Sequence, residues 1–273
     1  MAEWKKTARG IVITTLVGLV LSAPALTAQT AKTPAKPKSK PSSKSTTTPA
    51  KATPAPAKTE EPKKPAPDNG SLEAVLDQLD KASADFRSTE ADFVWEQYQK
   101  VVDETDTQKG KIYFVRRDKD TNMAANVVEP DKKELVFTEG KLRFYQPRID
   151  QVTEYDAGKN KGEVETFLVL GFGGRGHDLP KSFEVKFSGH ETIDGVRTAK
   201  LELDPKSPKV KNTFAEIILW VDPVRGVSLK QQFIEPSGDY RIAKYFNFKM
   251  NGKVGEEVFR LKTTSKTKVV RQQ

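Results

Sequence analysis

The residue types that most often carry catalysis are few in this sequence, and their spacing fits no reactive site. There is no cysteine, and the two histidines, His177 and His190, are thirteen positions apart, unlike the short spacing of histidine metal ligands. Residues 171–176 spell G-x-G-x-x-G, but they follow a helix-like stretch and lead toward Pro180. A dinucleotide site needs a strand before these glycines and a helix after them. We expect no enzyme, no metal and no cofactor.

Arg116 is the charged residue whose position indicates a different chemistry. It ends an alternating strand on the same face as Ile112 and Phe114, so its guanidinium lies at the end of an apolar face. An unpaired charge there would be costly. The five N–H donors of the guanidinium can bond backbone carbonyls of whatever covers the sheet, and Arg116 would then act as a latch. The alternative is a side chain that reaches solvent at the strand end.

A change of hydrophobic period separates helix from strands. Ser71 can cap a helix over 72–87, where the apolar residues follow the 3.6-residue period. After this helix the period becomes two, which predicts strands. Glu139-Gly140 and Asp194-Gly195 are typical of tight hairpin turns. The predicted strands are 90–101, 109–117, 122–128, 133–138, 141–146, 150–155, 182–191, 196–203, 212–222, 227–234, 239–249 and 256–262.

A second, short helix interrupts the strands at 163–171. Val164, Phe167 and Leu168 recur there at helical spacing, and a glycine-rich, flexible loop should follow. Two helices and one long antiparallel sheet predict an α+β fold in which the helices cover one face of a curved sheet.

The alternation also predicts which face is covered. In the predicted strand 212–222 one face is entirely apolar, whereas Phe214 shares the other face with Glu216, so the apolar face should point inward. The inward residues identified in this way are Phe93, Trp95, Ile112, Phe114, Leu135, Phe137, Leu142, Phe144, Ile217, Leu219 and Val221. For each of them the alternative is ordinary packing in a solid core.

The N-terminal part of the sequence indicates export. A basic segment, 1–9, precedes an eleven-residue apolar run and then Ala23-Pro24-Ala25, which predicts a signal peptide over 1–28 with cleavage after Ala25 or Ala28. A retained anchor is the alternative, but the run is shorter than the roughly 20 residues that span a bilayer. Without cysteine the mature chain cannot carry a lipoprotein's acyl anchor, so we expect it to diffuse freely.

Residues 29–70 should form a disordered linker ahead of one domain over 71–273. The linker has nine Pro and nine Lys but no aromatic residue and no Val, Ile, Leu or Met, so it cannot bury apolar surface. Of the net charge of +9, the linker contributes +6 and the first segment +2, which leaves +1 for the domain. A basic surface that binds nucleic acid is therefore not expected.

Two stretches carry a resemblance to a known family. Residues 110–116 read G-K-I-Y-F-V-R, and 139–152 contain the turn E-G-K, the strand exit Y-Q-P and then Q-V. In order and spacing, from about 72 to 262, the sequence resembles the periplasmic outer-membrane lipoprotein carriers, the LolA-like family. The resemblance implies an unclosed, strongly curved β-barrel whose helices cover a hydrophobic concave face.

The resemblance also implies roles for residues. The inward side chains would line a cavity for lipoprotein acyl chains, and Val164, Phe167 and Leu168 would belong to its lid. The family's latch arginine falls on Arg116. Its exposed apolar contact, in the loop that hands over the cargo, falls nearest Met123.

The function implied is a monomeric periplasmic carrier that takes lipoproteins from an inner-membrane lipoprotein-releasing transporter to an outer-membrane acceptor, with only transient membrane proximity. One alternative is a binder or sensor of glycolipids or lipoproteins without the transporter handover. Another is a structural envelope protein that is tethered by its basic tail and binds no lipid. A solid core would favour the latter.

Overall fold

The computed structural model describes residues 70–118, 120–158 and 161–272. The predicted signal peptide, 1–28, lies outside the described residues, and so does the predicted linker up to residue 69. No helix among the described residues is long and apolar enough to cross a membrane.

The first helix, α1 (Leu72–Asp85), begins as its sequence predicts. The hydroxyl oxygen of Ser71 accepts a hydrogen bond from the backbone N–H of Ala74 at 3.2 Å, which caps the helix. Its buried face consists of Val75, Leu76, Leu79 and Ser83. The helix ends two residues before the predicted boundary because Phe86 is extended and its ring enters the core.

Within the described residues, twelve strands form one open sheet in the order β12-β6-β5-β4-β3-β2-β1-β11-β10-β9-β8-β7. Every neighbouring pair is antiparallel except β12 with β6. The predicted α+β, half-barrel fold class is confirmed. The strands are β1 (Ser88–Gln99), β2 (Glu104–Arg117), β3 (Asp120–Glu129), β4 (Lys133–Thr138), β5 (Lys141–Gln146), β6 (Gln151–Asp156), β7 (Phe183–Ile193), β8 (Val196–Pro205), β9 (Glu216–Asp222), β10 (Val227–Ile234), β11 (Tyr240–Met250) and β12 (Lys268–Gln272).

Short helices occupy three connections. They are α2 (Lys161–Leu168), α3 (Leu179–Ser182) and α4 (Pro208–Lys211). Single 3₁₀ turns occur at Pro147–Ile149, Gly176–Asp178 and Glu256–Phe259.

Both predicted hairpin turns are present. Glu139 and Gly140 have φ angles of 54° and 74°, and Asp194 and Gly195 have 49° and 77°. Positive φ at both central residues is the geometry that lets a two-residue turn follow the twist of its strands. The turns therefore determine the register of β4 with β5 and of β7 with β8.

Two strand predictions are wrong. Residues 256–262 form no strand: they contain a 3₁₀ turn whose Phe259 packs on the convex face of the sheet against Ala124 and Val136. The last strand is instead β12, which pairs in parallel with β6 at the edge of the sheet. Its register is held by Asp150, whose carboxylate accepts hydrogen bonds from the hydroxyls of Thr264 and Thr267 at 3.1 and 2.6 Å.

The strand predicted at 212–222 begins only at Glu216. Because the chain is not extended before that residue, the two-residue alternation does not apply to Phe214. Phe214 is therefore fully buried on the concave side rather than sharing the outer face with Glu216.

The concave face carries two cores. The first core lies on β1 to β6, β10 and β11 and is rich in aromatic residues; it includes Phe86, Phe93, Ile112, Phe114, Met123, Leu135, Phe137, Leu142, Phe144, Phe172 and Tyr245. The second core lies beneath α1 on β7 to β9 and is mostly aliphatic; it includes Val75, Leu79, Leu170, Phe183, Leu201, Leu203, Phe214, Ile217, Leu219 and Val221.

Candidate functional site

An apolar cavity of about 170 Å³ lies on the concave face over the first core. Strands β1 to β5 supply one side, β10 and β11 the other, and the segment around α2 covers it. The lining residues are Trp95, Glu96, Ile112, Phe114, Met123, Leu135, Leu142, Phe167, Leu168, Leu170, Phe172, Phe214, Gln231, Phe233, Arg241, Ile242, Ala243 and Tyr245. Such a lining suits a hydrocarbon ligand.

The predicted cavity residues separate into three groups. Trp95, Ile112, Phe114, Leu135 and Leu142 line the cavity. Behind that lining, in the first core, lie three buried side chains: Phe93, which stacks on Trp95 with ring centroids 3.9 Å apart, Phe137 and Phe144.

The third group lies in the other core. Ile217, Leu219 and Val221 are buried in the second core and do not line the main cavity. Leu219 and Val221 line a smaller space of about 120 Å³ beneath α1. Period two correctly predicted that these residues point inward, but it contains no information on which part of the concave face is hollow.

Met123 is not the exposed loop residue that the resemblance implied. It lies inside β3, pairs with Phe114 and Phe137, and is only 4% exposed. The strand begins at Asp120, so the loop is too short to include it. Met123 lines the cavity instead.

The predicted lid residues do cover the cavity side of the sheet. Phe167 and Leu168 line the cavity and are half-buried, and Val164 is buried in the first core. After α2, the backbone N–H of Ser228 donates to the carbonyl of Gly171 at 2.7 Å, and that of Gly173 donates to the carbonyl of Gly226 at 2.9 Å. These bonds tie the end of the lid to the start of β10.

The glycines of the G-x-G-x-x-G run have a packing role. Gly171 and Gly173 have φ angles of 76° and 70°, which favour glycine. A Cβ on Gly173 would overlap the ring of Phe86, and one on Gly176 would overlap the backbone of Leu76. The run therefore allows the lid to approach α1 closely.

Arg116 makes the bonds on which the latch hypothesis depends. Its guanidinium donates to the carbonyl of Ser83, near the end of α1, and to the carbonyl of Gly173, after α2, both at 2.6 Å. The hydroxyl of Ser83 also donates to the carbonyl of Gly173 at 2.7 Å. The guanidinium carbon lies 5.5 Å from the ring centre of Phe86. One side chain of the sheet thus joins both covering segments.

A buried polar pair supports the lid from the opposite wall. The amide nitrogen of Gln231 donates to the carbonyl of Leu170 at 2.7 Å, and the hydroxyl of Tyr245 donates to the amide oxygen of Gln231 at 3.2 Å. Burial raises the pKa of Tyr245 far above its ordinary value, so the phenol stays neutral. Both side chains lie in the cavity wall, where they satisfy each other and the lid backbone.

His177 joins the loop after the lid to α1. Its ring nitrogens lie 2.8 Å from a carboxylate oxygen of Asp80 and 3.1 Å from one of Glu73. The hydrogen bonds with Glu73 and Asp80 raise the pKa of His177. Burial alone would raise the pKa of Asp80, but the bonds from His177 hold it below its ordinary value. This contact was not predicted, because nothing in the spacing brings 177 to α1.

Glu73, Asp77 and His177 also bring three potential metal-ligand atoms within 4.8 Å of one another. Both ring nitrogens of His177 already bond carboxylates, so a metal ion would have to replace the bond with Glu73 or Asp80. Glu73 and Asp77 are exposed. The cluster therefore serves as a contact between two segments in the structure as it stands.

Several cavity residues were missed by the sequence argument. Phe172 lies in the glycine-rich run and Phe214 before a strand, where no period applies. Tyr245 and Ala243 alternate in β11 and could have been found from their pairing with Phe93 and Trp95. Gln231 occupies the inward face of β10 between apolar residues, and such a polar interruption is the signal that indicates a buried hydrogen-bonded side chain.

A lidded, apolar cavity on an open curved sheet defines a lipid-binding carrier fold. Residues 84–262 match the outer membrane lipoprotein carrier protein family, LolA, and the chain belongs to this family. The predicted resemblance is thereby confirmed. No curated protein matches the sequence.

Solved structures have a similar fold at low identity. MucB is 14% identical with a TM-score of 0.47, covering 73% of this chain and 65% of MucB; the Pseudomonas aeruginosa MucA/MucB complex is 15% identical with a TM-score of 0.44, covering 70% and 60%. A LolA superfamily protein from Nitrosomonas europaea is 13% identical with a TM-score of 0.36, covering 70% and 97%. The chain spans less than two thirds of MucB. At these identities and scores the likenesses carry no functional argument.

Proposed function

We propose that this protein is a periplasmic carrier that binds lipoprotein acyl chains in the concave cavity and shuttles them from the inner to the outer membrane, without making or breaking a covalent bond. The observation that carries the proposal is the apolar cavity closed by segments that Arg116 ties together. Membership of the LolA family supports it.

The size of the cavity limits how much of an acyl chain it can enclose. At about 170 Å³, the cavity is close to the engineered cavity of about 150 Å³ that binds benzene. It therefore has room for only a short part of an acyl chain. The rest of a longer chain would extend out of the open side of the cavity, past the half-buried Phe167 and Leu168.

The proposed partners are an inner-membrane lipoprotein-releasing transporter and an outer-membrane acceptor. A second candidate is a lipoprotein or glycolipid binder that does not receive its cargo from a transporter. It is favoured by the burial of Met123, since this position offers no exposed apolar contact for a handover. The cavity argues against a purely structural envelope protein, which would need no such space.

Binding of a fluorescent acyl probe, with a lipoprotein as competitor, tests the function. We expect the wild-type chain to bind the probe and the lipoprotein to displace it. Ala243→Phe should weaken probe binding by about tenfold or more, because the added ring fills a space that lines the ligand site. The matched control is Lys244→Met, the exposed next residue on the opposite face. Equal probe binding by wild type and Ala243→Phe would place the ligand elsewhere.

Transfer distinguishes the two candidates. A carrier should pass a labelled lipoprotein from inner-membrane vesicles that contain the transporter to outer-membrane vesicles that contain the acceptor. A binder without handover should retain the lipoprotein in both cases. Failure of the wild-type chain to bind any acyl probe would contradict both.

A further inference from the structure

Lys133 is a lysine whose side chain is largely buried on the concave face. It is the first residue of β4 and lies two positions before Leu135, which lines the cavity. Its cross-strand partner is Val127 of the first core, so Lys133 belongs to the concave face. Two residues of strand span roughly 7 Å, which places Lys133 just beyond the cavity wall. The residue is only 7% exposed, although lysine ordinarily lies at the protein surface.

The ammonium of Lys133 has no side-chain partner among the described residues. No side-chain hydrogen bond or salt bridge joins it to residues 70–118, 120–158 or 161–272. Burial lowers the pKa of Lys133, and the more distant carboxylates of Asp131 and Asp106 only partly oppose this. The nitrogen itself is not enclosed, so the buried stem holds an ammonium that carries no ion pair and stays accessible to an incoming anion.

Gln108 is a second, independent observation at the same end of the cavity. It is 4% exposed and pairs across strands with Trp95, which lines the cavity. Its amide oxygen is buried without a hydrogen-bond partner. A buried amide without its bonds indicates a position that a polar ligand group can complete. By rotating, the amide can present either its oxygen or its NH₂ group.

The two residues lie beside the apolar cavity on neighbouring rows of the sheet. Lys133 is in the row of Val127, Gly110 and Phe93, and Gln108 is in the next row with Trp95. Gly110 lies between them, where a Cβ would overlap the backbone of Asn126 and the ring of Phe93. A ligand whose hydrocarbon chain fills the cavity would bring its polar end to this row.

We propose that Lys133 and Gln108 form a headgroup subsite for an amphiphile with an anionic oxygen, either the carboxylate of a fatty acid or the phosphate of a phospholipid. The proposal rests on the acyl-binding function above and adds the chemistry of the head. The Lys133 ammonium pairs with the anionic oxygen, and Gln108 donates an N–H or accepts from a hydroxyl. The hydrocarbon chain extends past Leu135 and Trp95 into the cavity.

The test compares amphiphiles that share one chain and differ in the head: dodecanoate, dodecyl phosphate and dodecanol. The wild-type chain should bind at least one anionic amphiphile about tenfold or more tightly than dodecanol. Lys133→Met, which keeps an apolar stem of similar length, should remove this preference and leave dodecanol binding unchanged. Lys133→Arg should retain it. The matched control is Lys132→Met, the exposed neighbouring lysine, which should bind like wild type.

The outcomes separate the headgroup subsite from the acyl-binding function. Preference for dodecyl phosphate assigns the subsite to phospholipids, and preference for dodecanoate assigns it to fatty acids. Equal binding of all three amphiphiles by wild type overturns the subsite while acyl binding stands. An equal loss in Lys132→Met shows a general surface effect and also overturns it. Inorganic phosphate that binds as tightly as dodecyl phosphate would make this a free-anion site instead. If no amphiphile binds, the acyl-binding function itself fails.

Discussion

Both cores of the concave face are built on strands with alternating apolar residues, but they differ in how closely a helix packs on them. In the second core, Leu201, Leu203, Ile217 and Leu219 are at most 1% exposed, and α1 packs Val75 and Leu79 directly onto them. Over the first core, the half-buried Phe167 and Leu168 of α2 stand above a cavity. The difference shows that the alternation of the strands does not determine where the concave face is hollow; the packing of the covering segment does.

The two coverings also differ in how they are attached. Helix α1 is held by a continuous apolar face, so it cannot leave without exposing that face to water. The segment around α2 buries Val164, Leu170 and Phe172, but it is also held by directed bonds from Arg116, Gln231 and the start of β10. A few hydrogen bonds, each worth about 0.5 to 3 kcal/mol, are an attachment that a ligand's binding energy can break.

The largest expected effect is the contrast between two Leu→Ala substitutions. Leu201→Ala in the second core should cost about 2 to 5 kcal/mol of unfolding free energy, because it leaves a cavity among close-packed side chains. Leu142→Ala should cost less, because this side chain already borders a space and loses fewer contacts. Urea unfolding of both variants measures the difference. Equal losses would mean that the first core is as solid as the second.

The next effect concerns the latch. Arg116→Leu removes the bonds to the carbonyls of Ser83 in α1 and Gly173 after α2, so the closed state should lose about 1 to 3 kcal/mol relative to the open state, a shift of about five- to 150-fold. Hydrogen exchange of amides in 169–173 should accelerate accordingly, whereas that of 75–80 in α1 should not change. An acyl probe should enter at least as readily, but transfer to an acceptor should decline if release depends on reclosure.

The matched control for the latch is Arg117→Leu. Arg117 is the exposed next residue and pairs with Glu256 on the other side of the sheet. Its loss should leave exchange in 169–173 unchanged. If Arg116→Leu behaves like this control, Arg116 is a strand-end residue without a role in the lid.

The smallest expected effect is a pH dependence of the loop that follows the lid. The folded state raises the pKa of His177 above its ordinary 6.5, so the contribution of the contact is complete below about pH 6.5 and is lost as the pH rises through the raised pKa. The folded state lowers the pKa of Asp80 below 3.8, so that contribution is lost only as the pH falls through the lowered value. Protection factors of amides in 174–178 should therefore fall from pH 6 to pH 8.

His177→Gln should flatten this profile, whereas His190→Gln should not. Burial, and secondarily the charge of Arg197, lowers the pKa of His190, so its titration has the opposite sign, and it lies on β7 away from α1. A profile that stays the same in His177→Gln would exclude the His177 contact as its cause.

Much of the sheet follows from local rules. Eleven of the twelve strands overlap the predicted ranges, because alternation over several residues and two-residue turns such as Asp194-Gly195 act locally. The two failures also have local causes. The apolar residues Val258, Phe259 and Leu261 have the spacing of a strand, but they pack on the convex face without forming one. Strand β12 was missed because its residues show no apolar alternation.

The candidate site could be predicted only in part. The inward direction of Ile112, Phe114 and Leu135, and the need of Arg116 for carbonyl acceptors, follow from a strand's period and from the chemistry of a charge on an apolar face. Phe172 could not be found in this way, because it lies in a loop whose path depends on contacts with α1 and β10.

The sequence by itself therefore determined the α+β class, the two helices, most strand boundaries and the face of the sheet that is covered, since each of these depends on residues close together in the chain. Only the tertiary structure decided that Leu219 belongs to the second core, that Met123 is buried, and that Lys133 has no salt bridge beside the cavity. These properties depend on how the covering segments pack on the sheet. That packing is determined by side chains that are far apart in the sequence.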